Sequence, residues 1–316
     1  MNKVIVVGSV NVDVISRVGR LPRPGETILG RDSESALLPG GKGANQAVAA
    51  ARLGVLTLLF GAVGADAFGN QLRDTLGAEG VGLAHLSTVD GATTGVAQIV
   101  VAADGENTIV VSSGANFRFA PAGLADLPAA VEPGDVVLLQ LEIPVATCLA
   151  AAGIARAGGA RVVLNAAPSP EGEDPDLADL LDRVDVLVVN ETEALAMAAD
   201  AVPHRPEDPA AWFAVAAALR KQGPDACVIT LGADGAVASD DTGDWHQPAF
   251  PVDVVDTTGA GDAFCGGLAA RLAAGGGLND AVCTGAAAGA LATGRLGAQA
   301  ALPDRAAVEA LAGGWS

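Results

Sequence analysis

Short, β-branched apolar runs alternate with alanine-rich stretches of helical length along most of this chain, and that alternation restricts the fold more than any other feature. Residues 3–8 (KVIVVG), 56–64 (LTLLFGAVG), 135–141, 161–165, 184–189 and 226–231 read as buried strands. Stretches 66–77, 144–158, 176–183 and 209–222 read as helices, and so does an alanine-rich segment running to Leu53. Strand–helix alternation of this kind predicts an α/β fold. It would be doubly wound, with a mostly parallel central sheet, right-handed crossovers and helices on both faces. Half of the residues are hydrophobic but only 3% are aromatic, and there is no Tyr. The core must therefore close by tight approach of helices rather than by large rings.

Two stretches break the alternation. Residues 14–38 surround an LPRPG turn at 21–25, and 92–113 place TGVAQIVV and TIVVSS on either side of ADGEN, a hairpin pattern. Together they predict one small β-sheet lid inserted into a single domain spanning 1–316. Segments 168–175 and 200–209 read as loops rather than boundaries. A net charge of −19 excludes nucleic acid as a partner. No run is long enough for a membrane span, and the N-terminus reads as a strand rather than a signal, so the cytoplasm is the expected compartment. Cys148, Cys227, Cys265 and Cys283 have no paired spacing and read as small buried hydrophobes, while His85, His204 and His246 read as solvated.

Polar residues recur where the strands end: Asn11 and Asp13, Glu142, Asn190 with Glu193, Thr230, and Asp256. In open parallel sheets that edge binds ligands. Two glycine-rich stretches each open a helix. One is PGGKGANQ (39–46), whose glycines allow close backbone approach and whose Lys42 and Asn45 supply donors. It is not a Walker loop, because Ala36 and Gly43 occupy positions that the motif reserves for Gly and Ser/Thr. The other is VDTTGAGDAFCGG (255–267). Uncovered N–H groups at a helix start attract anions. Asp262 there has two readings: an ordinary N-cap, or a base that takes a proton from a nucleophile beside a bound phosphate. The nucleophile elbow, the zinc-protease motif and the dinucleotide G-x-G-x-x-G after the first strand are all missing.

The stretches GSVNVD (8–13), PGGKGANQAVAAARLG (39–54), TTGVA (93–97), LQLE (139–142), NETE (190–193), TLGADG (230–235), VDTTGAGDAF (255–264) and GRLGAQ (294–299) together resemble the PfkB carbohydrate kinase family, nearly end to end. The resemblance implies an ATP-dependent sugar kinase, with D-ribose phosphorylated at O5 as the leading substrate. Other sugars such as 2-deoxyribose or fructose, a nucleoside, or a non-catalytic sensor on the same scaffold are the alternatives. It implies that Asp262 is the base and that the Gly259, Ala260 and Gly261 amides form the anion hole. Asn11, Asp13, Gly40, Gly41, Lys42, Gly43, Asn45 and Glu142 would hold the sugar with Asp262. Asn190, Thr230, Leu231, Gly232, Ala233, Asp234, Gly235, Gly261, Asp262 and Ala286 would line the ATP site. Asn190 and Glu193 would organise Mg²⁺ through water. A potassium site would use Asp256, with Thr258, Ala292, Arg295, Gly297 and Ala301 around it. A homodimer through the lid is the implied assembly. Ala301 stands where such kinases often carry a small hydroxyl, and Ala286 where a polar residue often faces adenine. Neither touches the reacting groups.

Overall fold

The computed structural model describes residues 2–30, 35–104, 106–169, 174–198 and 204–315. Strands are β1 (Val4–Val7), β2 (Asn11–Val18), β3 (Ala36–Gly40), β4 (Thr57–Gly64), β5 (Leu86–Val89), β6 (Gly95–Ala102), β7 (Asn107–Ser112), β8 (Val136–Gln140), β9 (Arg161–Asn165), β10 (Val186–Asn190), β11 (Ala226–Thr230), β12 (Ala236–Asp240) and β13 (Gly243–Gln247). Helices are α1 (Lys42–Arg52), α2 (Ala67–Ala78), α3 (Leu127–Ala130), α4 (Val145–Ala157), α5 (Pro175–Leu181), α6 (Glu191–Met197), α7 (Trp212–Arg220), α8 (Ala260–Ala273), α9 (Leu278–Ala292), α10 (Ala298–Ala301) and α11 (Arg305–Ala312). Parts of the predicted lid stretches, residues 31–34 and 105, and of the predicted loops at 168–175 and 200–209, residues 170–173 and 200–203, lie outside the described residues.

The large sheet has the order β13-β12-β11-β10-β9-β8-β1-β4-β5, parallel except at β12 and β13. The chain leaves β1 for β4 on one side and later returns to β8 on the other, so the strand order reverses at the carboxyl ends of β1 and β8, where ligands of such sheets lodge. Both faces are covered. Val4 and Val6 of β1 join one core with α1, α8 and α9, and Ile5 and Val7 join the other with α4 to α7. That alternation follows from the two-residue period of a strand. Strands β12 and β13, and β5 at the opposite edge, were not foreseen: β13 carries mostly exposed polar residues, with no buried apolar run to read.

The second sheet has the order β3-β2-β6-β7 and is assembled from the two stretches that broke the alternation, as predicted. Its boundaries differ. β2 begins at Asn11 and β3 ends at Gly40, with Asn11 opposite both Gly40 and Gly95. Asn11 and Asp13 therefore belong to a lid strand, not to the end of β1, because the chain turns out of the large sheet at Gly8–Val10. His85 is also corrected. Its ring stacks on Phe60 at 4.2 Å and 5°, half-buried rather than solvated. Cys148, Cys227 and Cys265 are buried as expected.

The helices close on each other through missing side chains. A Cβ on Gly266 of α8 would collide with Ala49 and lie 2.8 Å from the Gln46 carbonyl of α1. One on Gly285 of α9 would lie 2.8 Å from the Phe264 carbonyl. With backbones this near, no flexible side chain can yield. Gly266→Ala is expected to cost about 1–3 kcal/mol, read as a lower denaturant midpoint at unchanged slope. An unchanged midpoint would show that α1 and α8 can separate freely.

Candidate active site

Two glycine-rich helix starts meet at the reversal point, and their amides differ. At α1 the protein itself takes up the first N–H groups. Lys42 N donates to Glu142 Oε2 (3.1 Å), Gly43 N to Ser9 Oγ (3.3 Å) and Ala44 N to the Ser9 carbonyl (2.9 Å). Ser9 Oγ in turn donates to Glu142 Oε2 (2.5 Å), joining the ends of β1 and β8. Glycine is required here. Gly41 has φ of 89°, and a Cβ on Gly43 would lie 2.5 Å from the Ser9 nitrogen. A Cβ on Gly40 would collide with the Asp13 carboxylate.

At α8 the situation is reversed. Gly259 is the N-cap, in the left-handed region at φ of 77°. Ala260 N donates to the Thr257 carbonyl (3.2 Å) and Ala263 N to that of Gly259 (2.8 Å). The amides of Gly261 and Asp262 have no acceptor among the described residues, as expected for a first turn. Gly261 is exposed, and a Cβ there would meet nothing within 4 Å. Protein packing does not demand glycine at this position; its absent side chain leaves the helix end open to a ligand.

Asp262 lies inside the first turn of α8 and is not the cap, which removes the ordinary structural reading of this residue. Its carboxylate points back across the helix pair and is buried. Oδ2 accepts from Asn45 Nδ2 (2.8 Å) and Oδ1 from Gln46 Nε2 (3.0 Å). Lys42, one turn away on α1, faces the carboxylates of Asp262, Glu142 and Glu193. Burial works against its ammonium, but these charges outweigh it and hold its pKa above the usual lysine value. Asp13 pays for the same crowding. Burial, then Glu142, then Asp262 push its carboxyl up to about 6. Burial also raises Glu193, against the opposing pull of the Asn190 N–H and Lys42. Asn11 is buried in the lid hinge, where its Oδ1 accepts from Asn116 Nδ2 (2.7 Å).

The expected nucleotide residues stand along the neighbouring strand ends. Asn190 and Thr230 close β10 and β11 side by side. Asn190 and Glu193 form a reciprocal capping box on α6, with both hydrogen bonds at 2.8 Å, so one oxygen of each is already engaged. In the turn after β11, Leu231 is buried and Ala233 and Asp234 are exposed. Gly232 faces open space, while Gly235, at φ of 88°, is wedged against the 247–249 backbone. Ala286 is half-buried in α9. Among the described residues no group of three or more His, Cys, Asp or Glu could hold a metal. A divalent ion here would depend mostly on ligand phosphates.

Asp256 fastens a separate loop. Its Oδ1 accepts from Thr258 N (2.9 Å) and Oγ1 (2.6 Å), and its Oδ2 from Gly297 N (2.8 Å). Burial would raise this carboxyl, but these donors outweigh it and hold the pKa below the usual value. The carbonyls of Thr258, Ala292, Arg295 and Gly297 accept no backbone bond among the described residues outside their own helices, which suits a monovalent cation beside an ionised carboxylate. Ala301 is buried and offers no side-chain oxygen.

Sequence reasoning missed Ser9, Asn116, Gln46, Gln140, Asn165 and Gln299. The signal lay in amides placed inside runs that are otherwise alanine or β-branched, such as Gln46 before AVAAA and Gln140 within VVLLQL. The Asp13 carboxyl carries its own check. Its raised pKa means that the folded state holds the proton more tightly than the unfolded chain, so stability is lost as pH rises from about 4 to about 6. Asp13→Asn removes that loss. Its stability advantage over the native chain should grow by about 1–3 kcal/mol across this window and then stay constant. A pH-independent difference in denaturation midpoints would contradict the crowding.

Residues 1–305 match the family model described as pfkB family carbohydrate kinase. The chain is 36% identical over 300 residues to ribokinase of Haemophilus influenzae, covering 95% of each. Its fold superposes on Arabidopsis thaliana ribokinase, solved in complex with ribose and ATP, with a TM-score of 0.87 at 32% identity over 98% of both chains. It also superposes on aminoimidazole riboside kinase from Salmonella enterica, with a TM-score of 0.79 at 28% identity over 98% of this chain and 99% of that one. With both glycine-rich helix starts, the acidic cluster and the lid in their places, the chain belongs to the pfkB family of carbohydrate kinases.

Proposed function

We propose that this kinase transfers the γ-phosphoryl group of ATP to O5 of D-ribose. The observation that carries the reading is the buried Asp262 carboxylate in the same first turn as two N–H groups, of Gly261 and Asp262, that have no acceptor among the described residues. Asp262 takes the hydroxyl proton as O5 attacks phosphorus. The bond from phosphorus to the bridging oxygen breaks, ADP leaves, and the uncovered amides at the start of α8 meet the negative charge on the transferring group. The Gly259 amide and the positive end of α8 contribute to the same anion hole, whereas the Ala260 N–H is already spent on Thr257.

The other residues divide by position. Glu142, Asp13, Lys42, Asn45 and the glycines at 40, 41 and 43 face the sugar end, with Asn11 fixing the strand that carries Asp13. Asn190, Thr230 and the 231–235 turn face the nucleotide, with Ala286 toward the base. Mg²⁺ bound with ATP would neutralise phosphate charge, and Glu193 with Asn190 would hold its water shell. Potassium would sit at Asp256 with the neighbouring carbonyls and stiffen the loop that leads into the anion hole. Exposed Ile109, Val110 and Val111 on β7 support a homodimer formed through the lid. Ribose is favoured over a nucleoside because neither lid stretch, 14–38 or 93–113, contains an aromatic residue to stack on a base. Among the described residues no helix is long and apolar enough to cross a membrane.

An ADP-release assay with ribose, 2-deoxyribose, fructose and adenosine should give the highest kcat/KM with ribose. Best turnover on any other compound refutes the substrate assignment. Asp262→Asn should lower kcat by about 10³-fold or more while ribose still binds, and near-native turnover would remove Asp262 as the base. Activity should be higher in K⁺ than in tetramethylammonium, and equal rates in both would mean that the Asp256 loop holds no functional cation.

A further inference from the structure

The carboxylate of Asp262 can only accept hydrogen bonds. Both Asn45 and Gln46 must therefore turn their NH₂ groups toward it, which leaves their carbonyl oxygens facing away. Each of those oxygens meets a second amide that must also present its NH₂. Gln299 Nε2 donates to Asn45 Oδ1 (3.0 Å) and Gln140 Nε2 donates to Gln46 Oε1 (2.7 Å). Two arms result, Gln299–Asn45–Oδ2 and Gln140–Gln46–Oδ1, with all their dipoles oriented the same way. Every member is buried, at 6% exposure or less apart from Asp262 itself at 7%. The outer oxygens, Oε1 of Gln140 and Oε1 of Gln299, are buried without a hydrogen-bond partner among the described residues. Leaving such acceptors unpaired is costly, and a fold assembled for stability alone has no need of them. The Gln140 arm is anchored in the sheet. Gln140 lies opposite Asn165 across β8 and β9, and Gln46 Nε2 also donates to Asn165 Oδ1 (3.0 Å).

We propose that Gln140 and Gln299 are positioning residues for the phosphoryl transfer. They orient and polarise Asn45 and Gln46 so that the carboxylate of residue 262 is held in one rotamer, its remaining lone pairs aimed at the acceptor hydroxyl. Aligned amides reinforce one another in a low-dielectric interior, so removing an outer amide weakens the inner bond without touching either substrate. The inference rests on Asp262 being the base.

The test is Gln140→Met and Gln299→Met, each close to the native side chain in shape and each deleting one outer donor, made in the native chain and in Asp262→Asn. Thermal melts establish that the variants fold. Because the arms lie on different elements, one variant suffices if the other does not fold. In the native background kcat should fall about tenfold, with KM for ribose and for ATP within about twofold. With Asn at 262 the same substitutions should change the residual kcat less than about twofold, because the group they act through is gone. A kcat within twofold of native, a loss carried by KM, or an equal fold-loss in both backgrounds would overturn the proposal. Near-native turnover of Asp262→Asn alone would instead overturn the assignment of the base.

Discussion

Everything at this site depends on the contact between α1 and α8. Asp262 and Gly266 are one helical turn apart, on the same face of α8. The missing side chain at Gly266 brings the α1 backbone close enough for Asn45 and Gln46 to reach both oxygens of Asp262. A larger residue at 266 would push α1 away and leave a buried carboxylate without its donors, which is among the costliest defects a core can carry. The alanine-rich composition, unpromising for a core on its own, is what permits this approach.

The two glycine-rich helix starts look alike in sequence but have been put to opposite uses. At α1 the amides are consumed by Ser9 and Glu142, which locks the ends of β1, β8 and α1 into one rigid corner. At α8 the amides of Gly261 and Asp262 remain uncommitted. A helix end binds an anion only with N–H groups that the protein has not already satisfied, so the second start is the one fitted to an anion, whereas the first presents side chains. Lys42 then lies among Asp262, Glu142 and Glu193 as a half-buried positive charge that offsets part of their negative field, in a chain whose net charge is −19.

The acidic cluster is built partly on the second sheet. Asp13 and Gly40 belong to β2 and β3, so any displacement of that sheet carries them with it, whereas Asp262, Asn45 and Gln46 stay with the core helices. The crowding that raises the Asp13 carboxyl therefore arises between the two sheets, from a lid residue packed beside the core carboxylates Glu142 and Asp262.

The sequence by itself determined the alternating α/β frame, the second sheet made from two interruptions, and the polar ends of β8, β10 and β11. These follow from periodicity, turn chemistry and glycine placement, all of which act over a few residues. It misplaced Asn11 and Asp13, which lie on β2, and Asp256, which follows a loop. Asp262 was legible as a special carboxylate, but whether it caps a helix was not, because the N-cap Gly259 and this first-turn residue differ by only three positions along the chain. The roles of Gln46, Gln140 and Gln299 were decided by tertiary structure alone. They lie as many as 253 positions apart in the sequence, and only the packing of α1 against α8, β8 and α10 links their amides, directly or through one neighbour, to one carboxylate. Hydrogen-bond direction is set by what each group faces, and in this protein what each group faces is fixed by which helices have no side chain between them.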